Sequence, residues 1–175
     1  GDGLGVYAQQ FAPEAPADPP SLSVSDATVT EPDSGATSDA VFTVTLSGAR
    51  TYPVSVHYGT QNGSAVAPAD YAATSGTLTF APGETTKNVT VPVAGDALDE
   101  SDETFSLVLA NPVDATLADA AGTAVIADND PLPLMSIADA SAVEGNPGDS
   151  THIVFNVSLS TPSGREVRAA YRLGL

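Results

Sequence analysis

The 175-residue chain carries 22 Asp and Glu against 5 Lys and Arg, a formal net charge of −17, which excludes a protein that grips nucleic acid by neutralising phosphates. It contains no Cys, so disulfide frameworks, thiolate zinc or iron–sulfur sites and thiol catalysis are excluded, while the compartment stays open. No run approaches the roughly 18 apolar residues that cross a bilayer, and the N-terminal GDGLGVYAQQF lacks the basic-then-apolar order of a signal peptide.

In chain order, residues 1–19 read as a linker or the end of an upstream domain: FAPEAPADPP holds four Pro and no periodic apolar pattern. From Ser21 onward the chain alternates in short runs. SLSVSDATVTE reads as a strand broken near Asp26. VFTVTLS turns Phe42, Val44 and Leu46 to one face, and VSVHY turns Val54, Val56 and Tyr58 inward with His57 outward. GTLTF buries Leu78 and Phe80, NVTVPV buries Val89, Val91 and Val93, and TFSLVL buries Phe105, Leu107 and Leu109. GTAVIAD closes the set. Pro92 falls at an outward position and cannot donate to a ladder, which marks its strand as an edge or bulged one. About seven strands separated by Gly, Pro, Asn and Asp clusters predict an all-β fold, an immunoglobulin-like antiparallel β-sandwich.

The pattern then begins again. Pro20–Asn62 set against Pro133–Leu175, an offset of 113 without gaps, matches 13 of 43 positions, among them Asp26/Asp139, Glu31/Glu144, Phe42/Phe155, Val44/Val157 and Tyr58/Tyr171. This reads as a tandem repeat: a complete domain over 20–131 and a truncated second copy over 132–175. A chain that starts without Met and stops within a repeat is expected to be an internal piece of a longer protein.

Successive strands of an antiparallel sandwich run in opposite directions, so alternate loops collect at alternate ends. The loops after the first, third, fifth and seventh strands carry Glu31 and Asp33; Asp70; Asp96, Asp99, Glu100, Asp102 and Glu103; and Asp128 and Asp130. None of them holds a Lys or Arg. Arg50 and Lys87, the two bases before position 165, fall at the other pole with Glu84, Asp114 and Asp119. Converging carboxylates repel one another and call for a cation. An all-oxygen set suits hard Ca²⁺ better than Mg²⁺, which keeps more water, or zinc, which favours His and Cys.

These residues resemble the Calx-beta family, the β-sandwich repeats of sodium–calcium exchangers and many large bacterial surface proteins. The resemblance is carried by SVSDATVTE, by DYAATSGTLTFAPGETTKNVTVPVAGDALDESDETFSLVLANP and by GTAVIADND. It implies calcium ligands at Glu31 after the split strand, Asp70 of the DY motif, Asp96 and Glu100 of the GDxxxE loop, and Asp128 and Asp130 of the closing DND. Asp99 within that loop and Asp102 just after it are left outside the ligand set, and Glu103 reads as a structural residue of DETF. Because Asp128–Pro131 is the whole connection to the next repeat, bound Ca²⁺ at this pole is expected to neutralise it and stiffen the hinge between repeats.

No catalytic constellation is present: His57 and His152 occupy non-equivalent positions without a nucleophile nearby, and there is no Trp to wall a glycosidase cleft. A non-enzymatic module of a secreted or cell-surface protein, acting in adhesion or cell communication, is the expected role. Its expected partners are adjacent repeats and an extracellular protein or carbohydrate, with no nucleic acid. The alternatives are a metal-free spacer, a carbohydrate- or protein-binding sandwich with Tyr52 or Tyr71 exposed, and the calcium sensor of a membrane transporter.

Overall fold

The alternation read from the sequence becomes a strand pattern in the computed structural model, which describes residues 18–172. The expected N-terminal linker therefore lies outside the described residues apart from its last two positions. The strands are β1 (Ser21–Val24), β2 (Ala27–Thr30), β3 (Thr37–Leu46), β4 (Val54–Asn62), β5 (Ser75–Phe80), β6 (Thr86–Ala94), β7 (Glu103–Val113), β8 (Thr116–Asp119), β9 (Ala121–Ala127), β10 (Met135–Ile137) and β11 (Val157–Leu159). Every regular element among the described residues is a strand. β6-β3-β1-β8 form one sheet and β2-β9-β7-β4-β5 a second, and they enclose a single apolar core.

Inward parity holds along the strands. Phe42, Val44, Leu46, Val54, Val56, Val89, Val91, Val93, Phe105, Leu107 and Leu109 are buried, and His57 is exposed. Phe105 sits at the centre, edge-on to Phe42 with centroids 5.9 Å apart and stacked on Tyr71 at 4.2 Å. Pro92 lies on β6, an edge strand of its sheet, and its missing N–H costs the ladder nothing there.

The predicted break near Asp26 is where the chain changes sheets. β1 pairs antiparallel with β3, while β2 pairs parallel with β9. Ser25 Oγ accepts from Thr43 N–H at 3.0 Å and Asp26 Oδ1 from Thr123 N–H at 2.8 Å, which satisfies donors at the crossing. Gly122 lies under it, where any Cβ would collide with the Ser25 carbonyl. The sequence reading did not anticipate β8. It follows β7 across a tight turn, with Asn111 near the end of β7 and Asp114 in the turn both at positive φ, and pairs parallel with β1. Its four residues, TLAD, hold one half-buried Leu and carry too little alternation to stand out.

Beyond residue 131 the structure thins to β10 and β11. Their register, Met135↔Leu159, Ser136↔Ser158 and Ile137↔Val157, is that of Leu22↔Leu46, Ser23↔Thr45 and Val24↔Val44 with every number raised by the 113-residue offset read from the sequence.

Candidate metal centre

Strand registers bring the acids together. Parallel β2 and β9 are paired Thr30↔Ala127 at their ends, so the next residues, Glu31 and Asp128, emerge side by side, with Glu31 N–H bonded to the Ala127 carbonyl at 2.9 Å. Glu103 opens β7 opposite Ile126 of β9, within two residues of Asp128. Asp70 is held against the end of β6: Tyr71 bridges Val93, and Ala94 N–H donates to the Asp70 carbonyl at 2.9 Å. Tyr71 anchors this segment. It is buried under Phe105, and its hydroxyl donates to Asn62 Oδ1 at 2.6 Å, so it orients the Asp70 loop instead of presenting an exposed aromatic.

The Glu31 loop and the loop that follows β6 are fastened to each other. Asp96 N–H donates to Glu31 Oε1 at 3.0 Å, and Gly35 N–H and the Gly95 carbonyl are 3.3 Å apart. The Gly95 backbone lies so close to Pro32 that any Cβ would overlap the Pro32 carbonyl. Glu100 N–H donates to Asp128 Oδ1, and Asp128 N–H to Asp102 Oδ1, both at 3.2 Å.

Glu31, Asp70, Asp96, Glu100, Glu103 and Asp128 surround a cavity of about 20 Å³, large enough for one water-sized occupant. Carboxylate oxygens of Glu31, Asp128 and Asp130 all lie within 4.8 Å of one another. That spacing suits Ca²⁺, whose ligands at 2.3–2.6 Å are at most about 5 Å apart. Asp130 Oδ2 is buried without a hydrogen-bond partner. No Lys or Arg lines the cavity, and the consequence is visible in the acids. Burial first, and then the charges of Asp96, Asp130 and Asp128, hold Glu31 above the ordinary carboxylate range. Glu100 rises through burial and the charges of Asp96 and Asp70, and Asp130 through burial and Asp128. Glu103 is pushed up to about 7 by burial and by its charge and hydrogen-bond contact with Asp70. This is a site deficient in positive charge, with donors of the hard oxygen type.

All six expected ligands lie at this pole. Five line the cavity, and Asp130 joins Glu31 and Asp128 at its side. Glu103, read from the sequence as structural, also faces the cavity. Strand parity carried that signal, because Glu103 shares a face with Phe105, Leu107 and Leu109. Asp102 takes part only through its bond to Asp128 N–H. Asp99 points away from the cavity. It is 3% exposed and ion-paired with Arg165, whose Nε lies 3.2 Å from Asp99 Oδ2. Ser163 Oγ donates to Asp99 Oδ2 at 3.2 Å and Gly164 N–H to the Asp99 carbonyl at 3.1 Å. The loop thus presents Asp96 and Glu100 to the cavity and Asp99 to the segment beyond residue 131.

Comparison with known proteins places this geometry. The chain is 42% identical over 64 residues to sodium/calcium exchanger 1 of Canis lupus familiaris, covering 37% of this chain and 7% of the exchanger. It is 40% identical over 79 residues to sodium/calcium exchanger 3 of Rattus norvegicus, covering 45% and 8%; the chain spans less than a tenth of the length of these relatives. Among solved structures it resembles the apo form of the Calx CBD1 domain (TM-score 0.53, 27% identity, 62% of this chain and 98% of that one). It also resembles the calcium binding domain CBD12 of CALX1.1 (TM-score 0.57, 27% identity, 68% and 50%). The Calx-beta domain matches residues 16–130, about two thirds of the sequence, and the chain belongs to the Calx-beta family.

Proposed function

We propose that the chain is a calcium-binding structural and interaction module of a larger secreted or cell-surface protein. Glu31, Asp70, Asp96, Glu100, Asp128 and Asp130 would hold Ca²⁺, and the ion would supply the positive charge that the pole lacks. The observation that carries the reading is the oxygen-lined cavity of about 20 Å³, ringed by six carboxylates and no basic residue. Four separately anchored loops do not gather this way merely to be solvated, because each acid added to the pole raises the cost of ionising the others. The carboxylates would act as fixed ligands, and nothing in the arrangement calls for catalysis.

The connection Asp128–Pro131 runs from the site into the next segment, and the turn at Ser163–Arg165 holds Asp99 of the ligand loop. These contacts support a mechanical role in which ordering the loop with calcium stiffens the junction between repeats. Adjacent repeats of the same chain are then the first partners, and adhesion or cell communication the setting. The exchanger relatives favour a second reading, a calcium sensor within a membrane transporter; the two share the site and differ in what the stiffened junction is attached to.

Calorimetric titration of the chain with Ca²⁺, with Mg²⁺ as control and an Asp96→Ala/Glu100→Ala variant, tests the site. Saturable heat lost in the variant is expected, together with about 2.7 kcal/mol of added stability at 100 times the dissociation constant. No heat and no melting shift up to several millimolar calcium would make this a spacer with a solvated acidic end. Small-angle scattering with and without calcium tests the stiffening, and equal flexibility in both would remove it.

A further inference from the structure

The fold makes a chemically labile dipeptide obligatory at the end of β4. Six Asn occur in the chain, followed in turn by Gly63, Val89, Pro112, Asp130, Pro147 and Val157. Asn62 alone precedes a glycine, whose peptide nitrogen has no Cβ beside it to keep it from the side-chain amide. The structure needs both members of the pair. A Cβ at position 63 would collide with the Thr104 carbonyl, which also accepts from Ala65 N–H at 3.0 Å. At position 62 one oxygen must serve two donors: Asn62 Oδ1 accepts from the Tyr71 hydroxyl at 2.6 Å and from Ala67 N–H at 3.1 Å. These bonds fasten both ends of the segment that carries Asp70, whose own Oδ2 accepts from Val66 N–H at 2.6 Å. Both fall on Oδ1 and neither on Nδ2, the group that leaves on deamidation.

We propose that Asn62–Gly63 is a site of spontaneous deamidation, and that isoaspartate formed there releases the segment carrying Asp70. The Gly63 nitrogen, giving up its proton, attacks Asn62 Cγ. The new N–Cγ bond closes a succinimide ring, the Cγ–Nδ2 bond breaks, and ammonia departs with a proton. Water then opens the ring at either carbonyl: breaking N–Cγ gives Asp, and breaking the bond from nitrogen to the main-chain carbonyl carbon gives isoaspartate. Asp keeps an oxygen where Oδ1 stood. Isoaspartate lengthens the backbone by one carbon where β4 pairs Asn62 with Phe105, and so withdraws the acceptor from Ala67 and Tyr71. Folding holds the attack back, because Asn62 lies in a strand and Gly63 N–H is bonded to the Ala65 carbonyl at 3.2 Å. That restraint is local. Asn62 is the last residue of β4, and it and Gly63 are exposed, so fraying of the strand end frees the reacting atoms without opening the sandwich. The inference holds whether or not the pole binds calcium.

The test ages the full chain in chelator at mildly alkaline pH, folded and in denaturant. Peptide mass spectrometry follows amide-to-acid conversion at each Asn, an isoaspartyl methyltransferase labels isoaspartate, and hydrogen exchange reads the Ala67 and Asp70 amides. Expected is conversion at Asn62 ahead of the other five Asn, about tenfold slower in the folded chain than in denaturant. In the isoaspartyl fraction the Ala67 and Asp70 amides should exchange about tenfold faster, while a freshly prepared Asn62→Asp variant exchanges like the native chain. The site is overturned if the folded chain shows no conversion at Asn62 under conditions in which the denatured chain converts. The release is overturned if the isoaspartyl fraction keeps native exchange at both amides, or if fresh Asn62→Asp is loosened as much.

Discussion

Glu103→Gln tests the electrostatics of the cavity directly. In the folded chain burial and Asp70 push Glu103 from 4.5 up to about 7, so between those pH values the folded protein keeps a proton that the unfolded chain has lost. Stability of the metal-free protein must then fall as pH rises through this window. The favourable contribution is fully present below about 4.5 and gone above about 7. Fully expressed, the shift would correspond to about 3 kcal/mol; the cavity opens to solvent, and screening reduces this to roughly 1 kcal/mol, or about 4 °C in melting temperature for a domain of this size. Glu31, Glu100 and Asp130 are displaced in the same direction and add to the slope. Gln at position 103 keeps the shape of the protonated acid and its donor toward Asp70. The variant should therefore melt about 4 °C higher than the native chain at pH 7 in chelator, with a shallower dependence between pH 4.5 and 7. Thermal melts followed by circular dichroism across that range give the answer. An unchanged slope, or a variant no more stable at pH 7, would refute the argument that carboxylate crowding strains the empty pole.

Two further outcomes follow from the loop contacts. Gly95→Ala places a methyl group against the Pro32 carbonyl and should part Glu31 from Asp96 N–H, weakening calcium binding about tenfold, or about 1.4 kcal/mol; calorimetry gives the affinity, and unaltered binding would mean the two loops need not touch. Arg165→Gln removes the cation paired with Asp99 and should broaden the distribution of orientations between the segments on either side of Pro131 in the presence of calcium, as read by small-angle scattering, with the calorimetric calcium affinity of the pole changed far less.

The sandwich was legible because burial of one strand face imposes a period of two, and Phe42, Val56, Val91 and Leu107 all obey it. The pole was legible for a related reason: antiparallel connectivity fixes the end at which each loop emerges, so Glu31, Asp70, Asp96, Glu100, Asp128 and Asp130 could be grouped without coordinates. What parity leaves open is the direction of a side chain inside an irregular loop. Asp96 and Asp99 are three residues apart on the same loop and face opposite ways, a difference set by Arg165, 66 positions later, and no local pattern encodes it. Glu103 is the reverse case. It belongs to a regular strand, its face could be deduced from Phe105, Leu107 and Leu109, and reading it as a structural residue of DETF passed over that parity. β8 was hidden because a four-residue strand held mainly by backbone pairing to β1 needs little apolar content.

The opposed directions of Asp96 and Asp99 also bear on how the pole communicates. A surface acid beside a metal site would add its charge to the site. Asp99 instead has its carboxylate compensated by Arg165 and held below the usual range by that contact, so it contributes little to the repulsion felt by Glu31 or Glu100. The loop can therefore carry a buried charge for the junction while sparing Glu31 and Glu100, its remaining influence falling on Asp130 at the side of the cavity. Because Glu100 follows Asp99 directly and its backbone is tied to Asp128, the proposed ordering of the Glu100 carboxylate by calcium would reach the Ser163–Arg165 contact through one peptide unit. Coupling over so short a path needs no rearrangement of the sheets. It requires only that the loop have fewer accessible conformations when its acids share a cation than when they repel one another.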